Sequence, residues 1–122
     1  MPISDAEGRV MEVLWSRNPQ SAEDVASGLS SRQEWTLSTV KTLINRLLNK
    51  GAIQAEKSGR RFLYSPVIER ADFVEAESRD LLDRFFGGRL APLVSHFSNR
   101  GGLSGEDIAE LKRLIEELDD GD

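Results

Sequence analysis

The stretch TLSTVKTLINRLLNKG, from Thr36 to Gly51, sorts into two faces when wound as a helix. At about 100° per residue, Val40, Leu43, Ile44, Leu47 and Leu48 fall on one side. Ser38, Thr42, Asn45 and Asn49 fall on the other, flanked by Lys41 and Arg46. The apolar side is an ordinary core face. The polar side lacks the carboxylates that a solvated face usually carries, since no Asp or Glu occurs between Thr36 and Ala55. Two cations among short hydroxyl and amide side chains suit a surface that brings its own negative charge, as nucleic acid does. Taken alone, the segment fits a plain amphipathic helix equally well.

The flanking residues narrow the choice. Upstream, the polar connection SSRQEW leads into Thr36, whose hydroxyl makes a good N-cap, and Gly51 is the natural residue to end the helix. Ser21 and Asp24 have capping-box spacing before a short helix of about nine residues with Val25, Ala26 and Leu29 apolar. Ser4 and Glu7 repeat that spacing, with Ile3 placed as a hydrophobic staple. Val10, Met11, Val13, Leu14 and Trp15 then mark a first helix that runs to about Ser16, and Asn18-Pro19 ends it. Trp15 reads as a core aromatic.

Downstream, the period changes from helical to alternating. Ala52 to Lys57, a turn at Ser58-Gly59-Arg60, and Arg61 to Val67 predict a β-hairpin packed through Ile53, Phe62 or Leu63, and Tyr64. Lys57, Arg60 and Arg61 surround its tip. Three helices followed by a basic hairpin is the order of a winged helix-turn-helix, in which the third helix enters the major groove and the hairpin lies beside the duplex.

Beyond the hairpin the predicted helices are Glu69–Phe86, Arg89–Phe97 with Pro92 in its first turn, and Glu106–Leu118 capped by Ser104 with Asp107. The tail from Asp119 to Asp122 is expected to fray. The fold class is therefore mainly α with a small β-hairpin. Residues 1–67 form a winged helix-turn-helix DNA-binding domain, and residues 68–122 form a helical dimerisation region. The residues expected to bury themselves against a second copy are Phe73, Leu81, Leu82, Phe85 and Phe86 in the first of these helices. Leu90, Leu93, Val94 and Phe97 follow in the next, and Ile108, Leu111, Leu114, Ile115 and Leu118 in the last.

Charge follows the same division. The net charge is −5, yet Met1 to Pro66 carries nine basic against seven acidic residues, and Val67 to Asp122 carries seven against fourteen. Within Arg32 to Arg61 the balance is seven basic to two acidic. The local field matters more to a polyanion than the total. Absence of cysteine excludes disulfides and thiolate chemistry, and the single His96 leaves no imidazole cluster. An enzyme would need a nucleophile with its base, a carboxylate pair in a pocket or a metal cluster. None is legible, so neither catalysis nor a cofactor is expected. No apolar run reaches the roughly 20 residues of a membrane span, and the N-terminus has no signal-peptide pattern. A cytoplasmic location is expected.

The runs SDAEGRVMEVLW, STVKTLINRLLNKGAI, EKSGRRFLYSPV, FFGG and LAPLVSHF before LSGEDIAELKRLIEEL resemble the penicillinase-repressor (BlaI/MecI) family over nearly the whole chain. The DNA-binding half is also similar to copper-responsive repressors, but those use a C-terminal cysteine cluster that this chain lacks. The resemblance implies a homodimeric repressor on an inverted-repeat operator, with antibiotic resistance as the setting in some members. In those members a membrane sensor-protease triggers cleavage before a phenylalanine in the penultimate helix. The matching bond here is His96-Phe97, with histidine where those members usually have asparagine.

Ser38, Thr39, Lys41 and Thr42 in the first turns of the third helix are the expected base-edge contacts, and Asn45 and Arg46 reach either a base or a phosphate. Arg32, Trp35, Lys50, Lys57, Arg60 and Arg61 are expected on the DNA backbone, although Trp35 fits a core role as well. The competing reading is a winged-helix module that binds protein without DNA.

Overall fold

The computed structural model describes residues 2–29 and 34–120, which fold as two compact units, Met1–Val74 and Glu75–Asp122. The elements in order are α1 (Asp5–Ser16), α2 (Ala22–Leu29), α3 (Leu37–Asn49), β1 (Ile53–Ser58), β2 (Arg61–Pro66), α4 (Arg70–Phe85), α5 (Leu90–Asn99) and α6 (Gly105–Asp120). The division falls inside α4, seven residues beyond the boundary expected after Val67.

Helices α1, α2, α3 and α6 begin where their capping residues direct, whereas α5 starts from Arg89 without a side-chain cap. Ser4 Oγ accepts from the Glu7 N–H at 3.1 Å, and Glu7 Oε1 accepts from the Ser4 N–H at 3.0 Å, which completes a capping box on α1. Ser21 with Asp24 and Ser104 with Asp107 make the same reciprocal pairs before α2 and α6. These bonds satisfy amide donors that a helix start leaves orphaned. Thr36 Oγ1 accepts from the Thr39 N–H at 3.1 Å and so caps α3. At the other end Gly51 adopts φ +75°, and the Gly51 and Ala52 N–H groups donate to the Leu48 and Leu47 carbonyls, each at 3.0 Å. This is a Schellman motif, and its left-handed residue is glycine because a Cβ is strained there.

In the first unit α1, α2 and α3 pack on one another. Val10, Met11 and Leu14 meet Ala22, Val25 and Leu29 and the α3 face Val40, Leu43, Ile44 and Leu47, with Ala52 and Ile53 closing the core. α2 approaches α1 closely at Gly28, where a Cβ would fall 2.9 Å from Val13 Cγ1. Trp15 packs its ring 5.4 Å from Phe73 and donates its indole N–H to the Ile68 carbonyl at 3.0 Å. That arrangement fits the core role expected of it.

The hairpin is antiparallel, with Ile53 opposite Pro66 and Ser58 opposite Arg61. Its loop is only Gly59-Arg60, shorter than the three-residue turn expected. Gly59 has φ +64° and Arg60 does not have a positive φ, the pattern of a glycine-first type II′ turn. Gln20 and Tyr64 exchange backbone hydrogen bonds of 3.0 and 2.7 Å, so the α1–α2 connection pairs with β2. A single bridging residue has no alternating pattern and so leaves no signal in the sequence.

In the second unit α5 extends to Asn99 and α6 to Asp120, so Asp119 and Asp120 are helical where fraying was expected. Once a helix is nucleated, each further residue fixed adds one hydrogen bond, so α6 propagates through Asp119 and Asp120. Among the described residues, no side chain of α4, α5 or α6 is fully buried.

Candidate nucleic-acid interface

The two faces of α3 separate as the periodicity requires. Val40, Leu43, Ile44 and Leu47 are buried, whereas Ser38, Thr39, Lys41, Thr42, Asn45 and Arg46 are all exposed. Leu37 is also exposed at the start of the helix, beside this row. It is an apolar residue that the two-face pattern does not account for. Thr39 Oγ1 lies 3.1 Å from Thr36 Oγ1, and Thr42 Oγ1 donates to the Ser38 carbonyl at 3.1 Å. Both hydroxyls are therefore engaged locally.

The hairpin register distributes its cations. Directly opposed residues of an antiparallel pair share a face. Lys57 stands opposite Phe62 on one face, and Arg61 stands opposite Ser58 on the other, with Arg60 in the turn between them. The basic cluster seen in the sequence is thus a tip with positive charge on both faces and at the end. Phe62, half exposed, shares its face with Lys57, while the neighbouring inward residue Tyr64 packs against the core.

Lys41, Arg46, Lys57, Arg60 and Arg61 form no ion pair among the described residues. Several arginines elsewhere are paired. Arg70 meets Glu12, Arg79 meets Glu75, Arg84 meets Asp80, and Arg113 meets Glu110 and Glu117. Exposed cations without carboxylate partners remain available to an external anion.

Lys50 differs from the other expected backbone contacts. Its ammonium turns into the protein and donates to Glu7 Oε1 at 2.6 Å and to the Pro2 carbonyl at 2.8 Å. Glu7 is almost wholly buried. Burial by itself would raise its carboxyl pKa, but the Lys50 hydrogen bond, the bonds from Ser4 and the Lys50 charge together hold it below the ordinary value. Glu7 was legible in the sequence as a cap and not as half of an ion pair, because Lys50 lies 43 residues away. Trp35 is half-buried against the core. Arg32 lies outside the described residues.

The apolar residues expected to meet a second copy are mostly in the second unit, and many are exposed. Phe85 is 67% exposed, Leu90 60%, Ile115 58% and Leu118 75%. Leu81, Phe97, Ile108 and Leu114 are exposed as well, and Leu82, Phe86, Leu93, Val94 and Leu111 are partly covered. Phe73 departs from this set, since it sits in the first unit with its ring on Trp15. His96 and Phe97 are both exposed, and the bond between them lies within α5. The His96 ring is 6.2 Å from Phe86 and 5.4 Å from Phe97.

A family model described as penicillinase repressor matches residues 3–117. The chain is 40% identical over 115 residues to the penicillinase repressor of Bacillus licheniformis, covering 94% of this chain and 90% of that one. It is 30% identical over 113 residues to the methicillin resistance regulatory protein MecI of Mammaliicoccus sciuri, covering 93% and 92%. Among solved structures it is similar to the monomeric form of Bacillus licheniformis BlaI in complex with the blaP half-operator. That likeness has a TM-score of 0.52 at 39% identity, over 59% of this chain and 88% of that one.

Proposed function

The chain belongs to the penicillinase repressor family, and from that premise we infer that it is a DNA-binding transcriptional repressor and not an enzyme. The observation that carries the reading is the carboxylate-free, exposed face of α3 beside a hairpin whose cations form no ion pair among the described residues. A helix bearing Ser38, Thr39, Lys41 and Thr42 in its first turns suits the major groove. Lys41 can donate to guanine O6 or N7. Thr39 and Thr42, with hydroxyls engaged inside the helix, offer their methyls to thymine. Asn45 and Arg46 follow one turn later, toward base or phosphate. The hairpin, charged on both faces and at its tip, suits a groove walled by phosphates on either side. A bound relative in complex with its half-operator supports this use of the fold.

The second unit supports a homodimer. Helices with no buried side chain and such exposed apolar residues as Phe85, Leu90, Ile115 and Leu118 need cover that this short segment does not supply to itself. Two joined protomers place their α3 helices on half-sites about 34 Å or one helical turn apart, or further, which suits an inverted repeat. Linking the half-sites makes the second binding event intramolecular, so loss of the dimer costs affinity disproportionately. Cleavage at His96-Phe97 by a membrane sensor-protease would divide α5 and separate α6 from α4, removing dimer surface. Among the described residues, no helix is long and apolar enough to cross a membrane. A promoter as partner places the action of the repressor in the bacterial cytoplasm.

Titration of the full chain against a promoter fragment of its own gene, at several salt concentrations, tests the DNA reading. Saturable, salt-sensitive binding is expected. Failure to bind any DNA at low salt favours the protein-binding module instead. Sedimentation tests the dimer: the full chain is expected as a dimer and the Phe85→Asp/Leu118→Asp variant as a monomer. A variant that still dimerises puts the interface elsewhere.

A further inference from the structure

A buried ion pair pins α3 at the end remote from its base-facing residues. Glu7 is 2% exposed and Lys50 20%, with Lys50 Nζ 2.6 Å from Glu7 Oε1 and 2.8 Å from the Pro2 carbonyl oxygen. Glu7 Oε1 also accepts from the Ser4 N–H, which ties the carboxylate to the start of α1. Lys50 is the C-cap of α3, and Gly51 and Ala52 lead directly into β1. The Ala52 carbonyl in turn accepts from the Val67 and Ile68 N–H groups at 2.8 and 3.3 Å. One small cluster therefore joins the start of α1, the end of α3 and both ends of the hairpin.

Stability alone is a weak reason for such a pair. Desolvating two charges offsets much of their attraction, and well-packed apolar replacements are often as stable. Among the described residues, Glu7 Oε2 is buried with no hydrogen-bond partner, which adds to that cost. What the pair does supply is a defined geometry. Ser38 to Thr42 lie eight to twelve residues before Lys50, or roughly 12–18 Å along the axis at about 1.5 Å per residue. A tilt of about 5° at Lys50 displaces them by roughly 1–1.5 Å over that length. Hydrogen bonds to base edges tolerate only a few tenths of an ångström.

We propose that Glu7 and Lys50 are positioning residues for sequence readout, setting the angle of α3 against α1 and the hairpin, and that Lys50 makes no phosphate contact. This rests on the DNA-binding reading above. It gives Lys50 a different part from the backbone contact expected from its sequence position.

The test uses the full chain and the Glu7→Gln/Lys50→Met variant. The introduced glutamine can still accept from the Ser4 N–H, and the methionine has nearly the shape of lysine. Each protein is titrated against the promoter fragment and against a shuffled duplex of equal length, over a range of salt. The expected result is a thermal midpoint near that of the wild type and an unchanged salt slope. The preference for promoter over shuffled DNA should fall about tenfold, comparable to losing one well-aligned base contact. An unchanged preference in the folded variant overturns the proposal. So does a slope shallower by about one unit with both duplexes weakened equally, which marks Lys50 as a phosphate contact. A wild-type chain with no preference for the promoter overturns the DNA reading itself and this inference with it. A second measurement needs no substitution: the Lys50 ammonium signal in nitrogen-15 NMR should keep its position when DNA is added. Its movement on binding refutes the assignment even if the variant does not fold.

Discussion

Neutralising the hairpin tip is the most direct probe of the interface. Lys57, Arg60 and Arg61 are exposed and form no ion pair among the described residues, so Lys57→Gln/Arg60→Gln/Arg61→Gln removes three charges without breaking an internal salt bridge. Lys57 and Arg61 pair across the strands with Phe62 and Ser58, and none of the three contributes to the core. The fold should survive. Each phosphate neutralised by a cation contributes about 0.9 to the slope of log affinity against log salt. If all three reach phosphates, the slope should become shallower by about 2.7 for each bound protomer, and by about twice that for a dimer. Between about 50 and about 200 mM salt, the variant should then lose about 1.6 decades less affinity per protomer than the wild type. Fluorescence anisotropy with a labelled promoter fragment at four or five salt concentrations reads the slope. As a control, Arg113→Gln removes an arginine already paired with Glu117 and should leave the slope alone. A slope identical in wild type and triple variant would falsify the assignment of the hairpin to the DNA backbone.

Three further outcomes follow from other parts of the molecule. Lys41→Ala should weaken promoter binding by roughly 1–3 kcal/mol and relax sequence choice at one base pair, as expected for a lost guanine contact; competition titrations with single-base variants read both effects. Gly28→Ala should destabilise the first unit by roughly 1–3 kcal/mol through overpacking, because its Cβ would meet Val13 Cγ1 at 2.9 Å. Adding Val13→Ala should make the Gly28→Ala step milder in a thermal double-mutant cycle, and equal costs in both backgrounds would sink the steric explanation. Glu7 has a pKa lowered from its ordinary 4.5, so its ionised form contributes stability that is complete above that value and is lost as pH falls through the lower folded value. Thermal midpoints across that acid window should drop more for the wild type than for Glu7→Gln, and parallel curves would refute the linkage.

Much of the first unit was legible because its signals are local. Capping pairs such as Ser4 with Glu7 and Ser21 with Asp24 operate across three residues, and the two faces of α3 follow from a 3.6-residue period. The change to alternation after Gly51 marked the hairpin for the same reason. Pairings across long stretches of chain were not legible. The Gln20–Tyr64 bridge, the Trp15–Phe73 contact and the Glu7–Lys50 ion pair join residues between 43 and 58 positions apart, and no periodicity records them.

The amino-acid sequence by itself determined the order of elements, the carboxylate-free face of α3 and the contrast between a basic first half and an acidic second half. Those are properties of neighbours along the chain. Tertiary structure alone decided which cations remain available. Lys41, Arg46, Lys57, Arg60 and Arg61 stay exposed and outside any ion pair among the described residues. Lys50, equally basic and only four residues beyond Arg46, is drawn to Glu7. Packing α1 against the end of α3 brings that carboxylate within 2.6 Å of the ammonium. A buried carboxylate requires a partner far more than a solvated one does.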